Sequence, residues 1–190
     1  MTLKKINIEY EILISLLKKE KHGRELSKEL DVSLTNIQTS LSNLKELNIV
    51  DYRVEGKNHI YFIKTNLKSK SMILNSENYK LIKLLTKHPK LEPVFEDILK
   101  KSRNLIIVLF GSYAKGTETK DSDIDIFVNT QNTKLKKEIE DVYQKINVKI
   151  GTITPNNPLI NEIKKNHIII SGGEPFYEEL GIFSEIKRRG

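Results

Sequence analysis

The sequence predicts an α+β protein, and three observations carry the prediction. Residues 9–47 repeat apolar side chains at helical spacing, and residues 51–64 change to two extended runs about a polar turn. Beyond residue 104, two further apolar strands bracket a short glycine-containing polar stretch.

The first helix is expected over Glu9–Lys19, with Ile12, Leu13, Leu16 and Leu17 on one side and His22-Gly23 as its breaker. Arg24–Leu30 reads as a short second helix. Asp31-Val32-Ser33 is a tight connection, and Ser33 is the N-cap of a third helix running to about Leu47 that buries Ile37, Leu41, Leu44 and Leu47. Strands over Asp51–Val54 and His59–Lys64 are joined by Glu55-Gly56-Lys57-Asn58, a composition suited to a hairpin turn. Ser76 is expected to cap a helix through Leu81, Ile82, Leu84 and Leu85 that ends near His88-Pro89, and Leu91–Lys101 forms another.

The chain has 190 residues, 38% hydrophobic and 30% charged, enough for one ordinary domain or two small ones. No run approaches the ~20 apolar residues of a membrane-spanning helix. The start, Met1-Thr2-Leu3-Lys4-Lys5-Ile6-Asn7, lacks an apolar signal core, so a cytoplasmic location is expected. With no cysteine there is no disulfide, thiolate metal site or cysteine nucleophile. The four histidines, His22, His59, His88 and His167, show no metal-ligand spacing.

The formal charge of +7 is uneven. Residues 1–67 carry 11 Lys/Arg against 9 Asp/Glu, residues 68–103 carry 9 against 4, and the remainder balances. A basic surplus is compatible with nucleic acid and equally with a solvated lysine-rich helix.

Helix, short helix, turn, longer helix and hairpin is the order of a winged helix-turn-helix, and residues 5–66 resemble such a DNA-binding domain of the prokaryotic regulator type. The solvent side of the third helix offers Thr35, Asn36, Gln38, Thr39, Ser42, Asn43 and Lys45, side chains able to bond base edges or phosphates. The hairpin adds Arg53, Lys57, Asn58 and His59 for a backbone or minor-groove contact. Domains of this kind also serve as protein-interaction modules.

Chemistry is concentrated further on. Leu105–Phe110 is an apolar run expected as a strand buried on both faces, followed by Gly111-Ser112-Tyr113-Ala114-Lys115-Gly116 and a second strand, Asp123–Val128. On that strand Asp123 and Asp125 share one side, roughly 6.5–7 Å apart at Cα, with Ile124, Ile126 and Val128 opposite. Two carboxylates on an apolar strand call for a cation, and their oxygens suit Mg²⁺ with substrate phosphates completing its shell. Gly111 allows a tight turn close to a ligand, and Ser112 offers a hydroxyl and an N–H to phosphate.

Gly111-Ser112…Gly116…Asp123-Ile124-Asp125 resembles the signature of DNA-polymerase-β-like nucleotidyltransferases, particularly their minimal prokaryotic branch, over about residues 92–178. The resemblance implies a small mixed sheet flanked by helices, a nucleoside triphosphate whose β/γ-phosphates Ser112 binds, and Asp123 and Asp125 as the catalytic pair holding one or two Mg²⁺ ions. Active members carry a third carboxylate on a later strand. Here that strand, Ile146–Thr154, has no acidic residue, and Lys149 or Gly151 stands where it is sought. Glu138, Glu140 and Asp141 upstream belong to a lysine-rich amphipathic helix.

After that strand come a turn at Pro155–Pro158, a helix over Leu159–Asn166, and a short strand over His167–Ile170. A plain turn is expected at Ser171-Gly172-Gly173-Glu174, then a terminal helix over Glu178–Arg189. The domains expected are 1–67 (winged helix), 68–91 (helical connector) and 92–190 (nucleotidyltransferase). Two functions stay open. One is a Mg-dependent nucleotidyltransferase directed to DNA, its acceptor undefined. The other is a DNA-binding regulator or antitoxin-like protein whose second domain is inactive or only binds nucleotide. The resemblances imply a toxin-like protein partner and a homodimer at the level of fold.

Overall fold

A computed structural model describes residues 8–154 and 156–183. Helix α1 (Ile8–Lys18) turns Ile12, Leu13 and Leu16 inward. A two-residue strand, β1 (Lys21–His22), follows. His22 does more than break the first helix: its Nδ1 accepts from the Glu25 N–H at 3.1 Å and caps α2 (Gly23–Leu30). Ser33 caps α3 (Leu34–Glu46), its Oγ accepting from the Asn36 N–H at 3.3 Å. Ile37, Leu41 and Leu44 are buried as expected, but Leu47 is 47% exposed. The helix ends there, and left-handed Asn48 (φ 62°) turns the chain away before Leu47 can reach the core.

Strands β2 (Val50–Glu55) and β3 (Asn58–Ile63) make the hairpin, with Gly56 (φ 61°) supplying the left-handed residue of the turn. β1 joins the antiparallel sheet in the order β1-β3-β2. Leu26 of α2, Ile49 and Val50 complete the core beneath the three helices. Three helices followed by this hairpin form the winged helix-turn-helix arrangement.

Helix α4 (Leu67–Lys87) is one continuous 21-residue element. Ser76 does not start a helix here. Asn66 fills that role, its Oδ1 accepting from the Ser69 N–H at 2.9 Å, while the Ser76 hydroxyl donates to the Met72 carbonyl one turn back at 2.8 Å. The chain divides into two units, one of residues up to Ser76 with Phe183 onwards, the other of Glu77–Ile182. α5 (Leu91–Lys101) opens the helical layer of the second unit.

The second unit holds β4 (Ile107–Phe110), the five-residue helix α6 (Gly111–Lys115), β5 (Ile124–Asn129), α7 (Thr133–Glu140), β6 (Ile146–Gly151), α8 (Pro158–Lys165), β7 (Ile168–Ser171) and α9 (Gly173–Glu179). The strands form one mixed sheet, β6-β5-β4-β7, parallel between β5 and β6 and antiparallel elsewhere. Ile124, Ile126 and Val128 of β5 pack with Phe95 and Ile98 of α5 and Leu135 and Ile139 of α7. Every residue of the interior strand β4 is buried. Asn132 caps α7, and Asn157 with Pro158 at the first turn caps α8.

Two expected boundaries move. Asp123 lies one residue before β5 rather than in it. Gly172 is no plain turn: at φ 75° it precedes α9, and a Cβ there would meet the Ile106 backbone at 2.9 Å. Of the expected terminal helix, Glu178 and Glu179 close α9, and residues 184–190, with Lys187-Arg188-Arg189, lie outside the described residues, as does Pro155. Among the described residues no helix is long and apolar enough to cross a membrane.

Candidate functional site

The site in the second unit is built where β4 meets β5. Phe110 and Asp125 are register partners, so the residue after Phe110 runs close to the Asp125 side chain. That residue is Gly111, at φ 70°. A Cβ there would collide with Asp125 Oδ2 and lie 3.1 Å from its Cγ and 3.2 Å from its Cβ. Gly111 is therefore required twice, by its backbone conformation and by the carboxylate against it. Ser112 follows in the first turn of α6, half-buried. The helix closes at left-handed Gly116, whose N–H donates to the Ser112 and Tyr113 carbonyls.

Asp125 is half-buried and Asp123 exposed. Asp125 Oδ1 accepts from Asn147 Nδ2 at 2.8 Å. Among the described residues neither carboxylate has a basic side chain against it. Parallel pairing sets Asn147 beside Asp125, Lys149 beside Phe127, and Gly151 beside Asn129. The neighbour of Asp125 on β6 is thus Asn147, two residues before the first position where a third carboxylate was sought. A signal for it existed: Ile124–Asn129 and Ile146–Gly151 align position for position once the strands are taken as parallel. Of the upstream acids, Glu140 accepts from the Val148 N–H at 3.3 Å, and Glu138 stands 3.9 Å from Lys134. Among the described residues no three His, Asp or Glu side chains are grouped to hold a metal ion.

The residues singled out on the winged helix lie on its surface. Thr35, Asn36, Gln38, Thr39 and Asn43 are all exposed on α3. Asn43 Nδ2 donates to Glu9 Oε1 at 3.2 Å, and the Thr39 hydroxyl donates to the Thr35 carbonyl at 3.0 Å. Lys57 is exposed in the hairpin turn. Arg53 is not a free cation. Its guanidinium pairs with Glu20 and, at 2.8 Å, with Glu55, and Glu20 foremost pushes its pKa further up. An aromatic stack that sequence reasoning missed lies beside it: Tyr52 on His59 at 4.0 Å between ring centroids, with Lys45 Nζ 4.2 Å from the Tyr52 ring.

A small mixed sheet carries the Gly-Ser turn against Asp125 of β5. Residues 90–171 match the model of the nucleotidyltransferase domain family. No curated protein matches the chain. Solved structures resemble parts of it, among them the following three. The adhesin competence repressor AdcR of Streptococcus pyogenes is 14% identical, with 48% of this chain and 69% of that chain covered at a TM-score of 0.40. The transcriptional regulator BldR of Sulfolobus solfataricus is 18% identical, covering 52% and 76% at 0.37. A toxin-antitoxin with AMP-PNP is 20% identical, covering 60% and 90% at 0.32.

Proposed function

We propose that Glu77–Ile182 binds a nucleoside triphosphate with Mg²⁺ at Asp123, Asp125, Gly111 and Ser112, for nucleotidyl transfer to an acceptor, and that the winged helix directs the protein to DNA. The observation that carries this reading is Asp125 seated against Gly111, which brings a carboxylate to the turn where a Cβ would have excluded it. The donor set fits a hard divalent cation. Asp123 and Asp125 stand two residues apart in the chain with no basic partner among the described residues, and Asp125 Oδ1 accepts from the neutral Asn147 amide. Bound there, Mg²⁺ would supply charge neutralisation on the phosphates. The protein's part is to hold the two carboxylates at the start of β5, keep the Gly111 backbone open, and offer the Ser112 hydroxyl to phosphate.

A second reading has its own support. Asn147 stands where a third carboxylate would neighbour Asp125, so β6 offers no carboxylate to take a proton from an acceptor hydroxyl. Base catalysis contributes ~10²–10⁴-fold, and its loss favours nucleotide binding without fast turnover, as in a DNA-binding regulator or antitoxin-like protein with a toxin-like partner.

The test is calorimetric titration with ATP, GTP, CTP and UTP in Mg²⁺, on the wild type and on the Asp123→Asn, Asp125→Asn variant. Binding that needs both Mg²⁺ and the aspartates is expected. Failure of every triphosphate to bind would overturn the nucleotide site, and pyrophosphate release in the presence of acceptors separates the two readings.

A further inference from the structure

The loop between α6 and β5 joins the two halves of the site: Ser112 stands ahead of it and Asp123 closes it. Asp125 is set by sheet register, opposite Phe110 on β4 and Asn147 on β6. Asp123 is placed differently. It lies exposed, one residue before β5 and before the first ladder pair, Ile124 with Ile146, so its position follows the path of the loop.

Thr117, Thr119, Lys120 and Asp121 of that loop are exposed, while Glu118 turns inward, its side chain 7% exposed. The end of α4 receives it. Glu118 Oε1 accepts from the Lys87 ammonium and, at 2.8 Å, from His88 Nε2. Lys87 foremost holds the carboxyl at about 2, so it is charged at neutral pH and the bond takes its proton from His88 Nε2. His88 reaches the other half of the site as well. Its ring stands edge-on to Tyr113, with centroids 5.3 Å apart, and Tyr113 follows Ser112 in α6. The His88 backbone is held on both sides: its N–H donates to the Leu84 carbonyl at 2.8 Å, and its carbonyl accepts from the Leu91 N–H at 3.0 Å. One anchored side chain thus touches α6 and the loop that leads to Asp123.

Stability is a poor reason for this arrangement. Desolvation offsets the attraction between a buried carboxylate and its cation, and Glu118 Oε2 has no hydrogen-bond partner among the described residues. What a buried charged pair supplies instead is a single path for the chain. We infer that His88 and Glu118 are positioning residues for the nucleotide site, fixing the loop and with it the place of Asp123 relative to Ser112 and Asp125. The inference rests on the nucleotide reading given above.

The full chain is titrated with the tightest-binding of ATP, GTP, CTP and UTP over a series of Mg²⁺ concentrations, with thermal melts alongside. His88→Ala and Glu118→Ala should each weaken Mg-dependent binding about tenfold, the lower end of what losing a group that orients a metal ligand costs, and raise the Mg²⁺ needed for half-saturation. Both remove the same bond, so the double variant should also lose about tenfold, where independent roles would multiply to about a hundredfold. His88→Gln, whose amide can donate in place of Nε2, should recover the wild-type affinity. Glu118→Ala, in a loop, keeps the test open where His88→Ala does not fold. A wild type that binds no triphosphate overturns the nucleotide reading and this inference with it. Wild-type binding with Glu118→Ala unchanged overturns this inference on its own, as do losses that multiply in the double variant or a His88→Gln variant that binds no better than His88→Ala.

Discussion

Gly111 and Asn147 hold Asp125 from two sides, and each makes a prediction. Gly111→Ala places a methyl group into the carboxylate and forces a left-handed conformation that costs a non-glycine residue roughly 1–2 kcal/mol. The expected result is a destabilisation of about 1–3 kcal/mol together with loss of nucleotide affinity, read by thermal melts and titration. A variant that melts and binds like the wild type would show that Asp125 has room to retreat. Asn147→Asp replaces an amide donor 2.8 Å from Asp125 with a like charge. Without divalent cations its melting temperature should fall, by roughly 1–3 kcal/mol of stability, and millimolar Mg²⁺ should restore it. Mg²⁺ leaving the melt unchanged would argue that these oxygens do not share a cation.

At the scale of elements, α3 offers a direct measurement. Its exposed row includes Gln38 and Asn43, and their replacement by Ala should weaken specific DNA binding more than non-specific binding. Equal losses on random and selected DNA would count against base readout by this helix. Arg53 is already paired with Glu20 and Glu55, so the hairpin has less free charge for phosphate than its composition suggests. Much of this architecture was legible in the sequence, because the signals were local. Ser33 and the apolar spacing of α3 act within one helix, and the Leu105–Phe110 run and the alternation of β5 mark strands without reference to their partners. What was hidden depends on pairing between distant segments. β1 has two residues and exists through its bonds to β3. Asn147 becomes the neighbour of Asp125 only once β6 is in register. Ser76 looked like a cap because its hydroxyl can accept an amide N–H, yet mid-helix it donates to a carbonyl instead.

Over the whole molecule, sensitivity to acid rests on a buried polar cluster in the second unit. Glu77 accepts from Tyr177 Oη at 2.6 Å and from Lys80 Nζ at 2.7 Å. Burial alone would push its carboxyl up, but Lys80 foremost among its neighbours holds it at about 2, below the ordinary 4.5. His167 Nδ1 lies 2.9 Å from the Ile163 carbonyl and donates to it. Burial, and then Lys80, lowers its pKa from 6.5. Both groups bind protons more readily unfolded than folded, so both contribute stability at neutral pH that is lost on acidification. His167 acts as pH falls below about 6.5, and Glu77 from about 4.5 down towards 2. Thermal melts of the full chain should therefore decline in two stages, and Glu77→Gln should flatten the lower one. A melting temperature constant from pH 7 to 3.5 would contradict the role given to both groups. One feature of α4 bears on how the chain can be cut. The division between the units falls at Ser76 and Glu77, both buried in mid-helix. Proteases cleave extended, exposed backbone, and the usual tether between two folded parts is absent at this point. Although α4 carries five lysines, mild trypsin should find no preferred scissile bond at this junction. Fragments isolated after such digestion will not mark where one unit ends and the other begins.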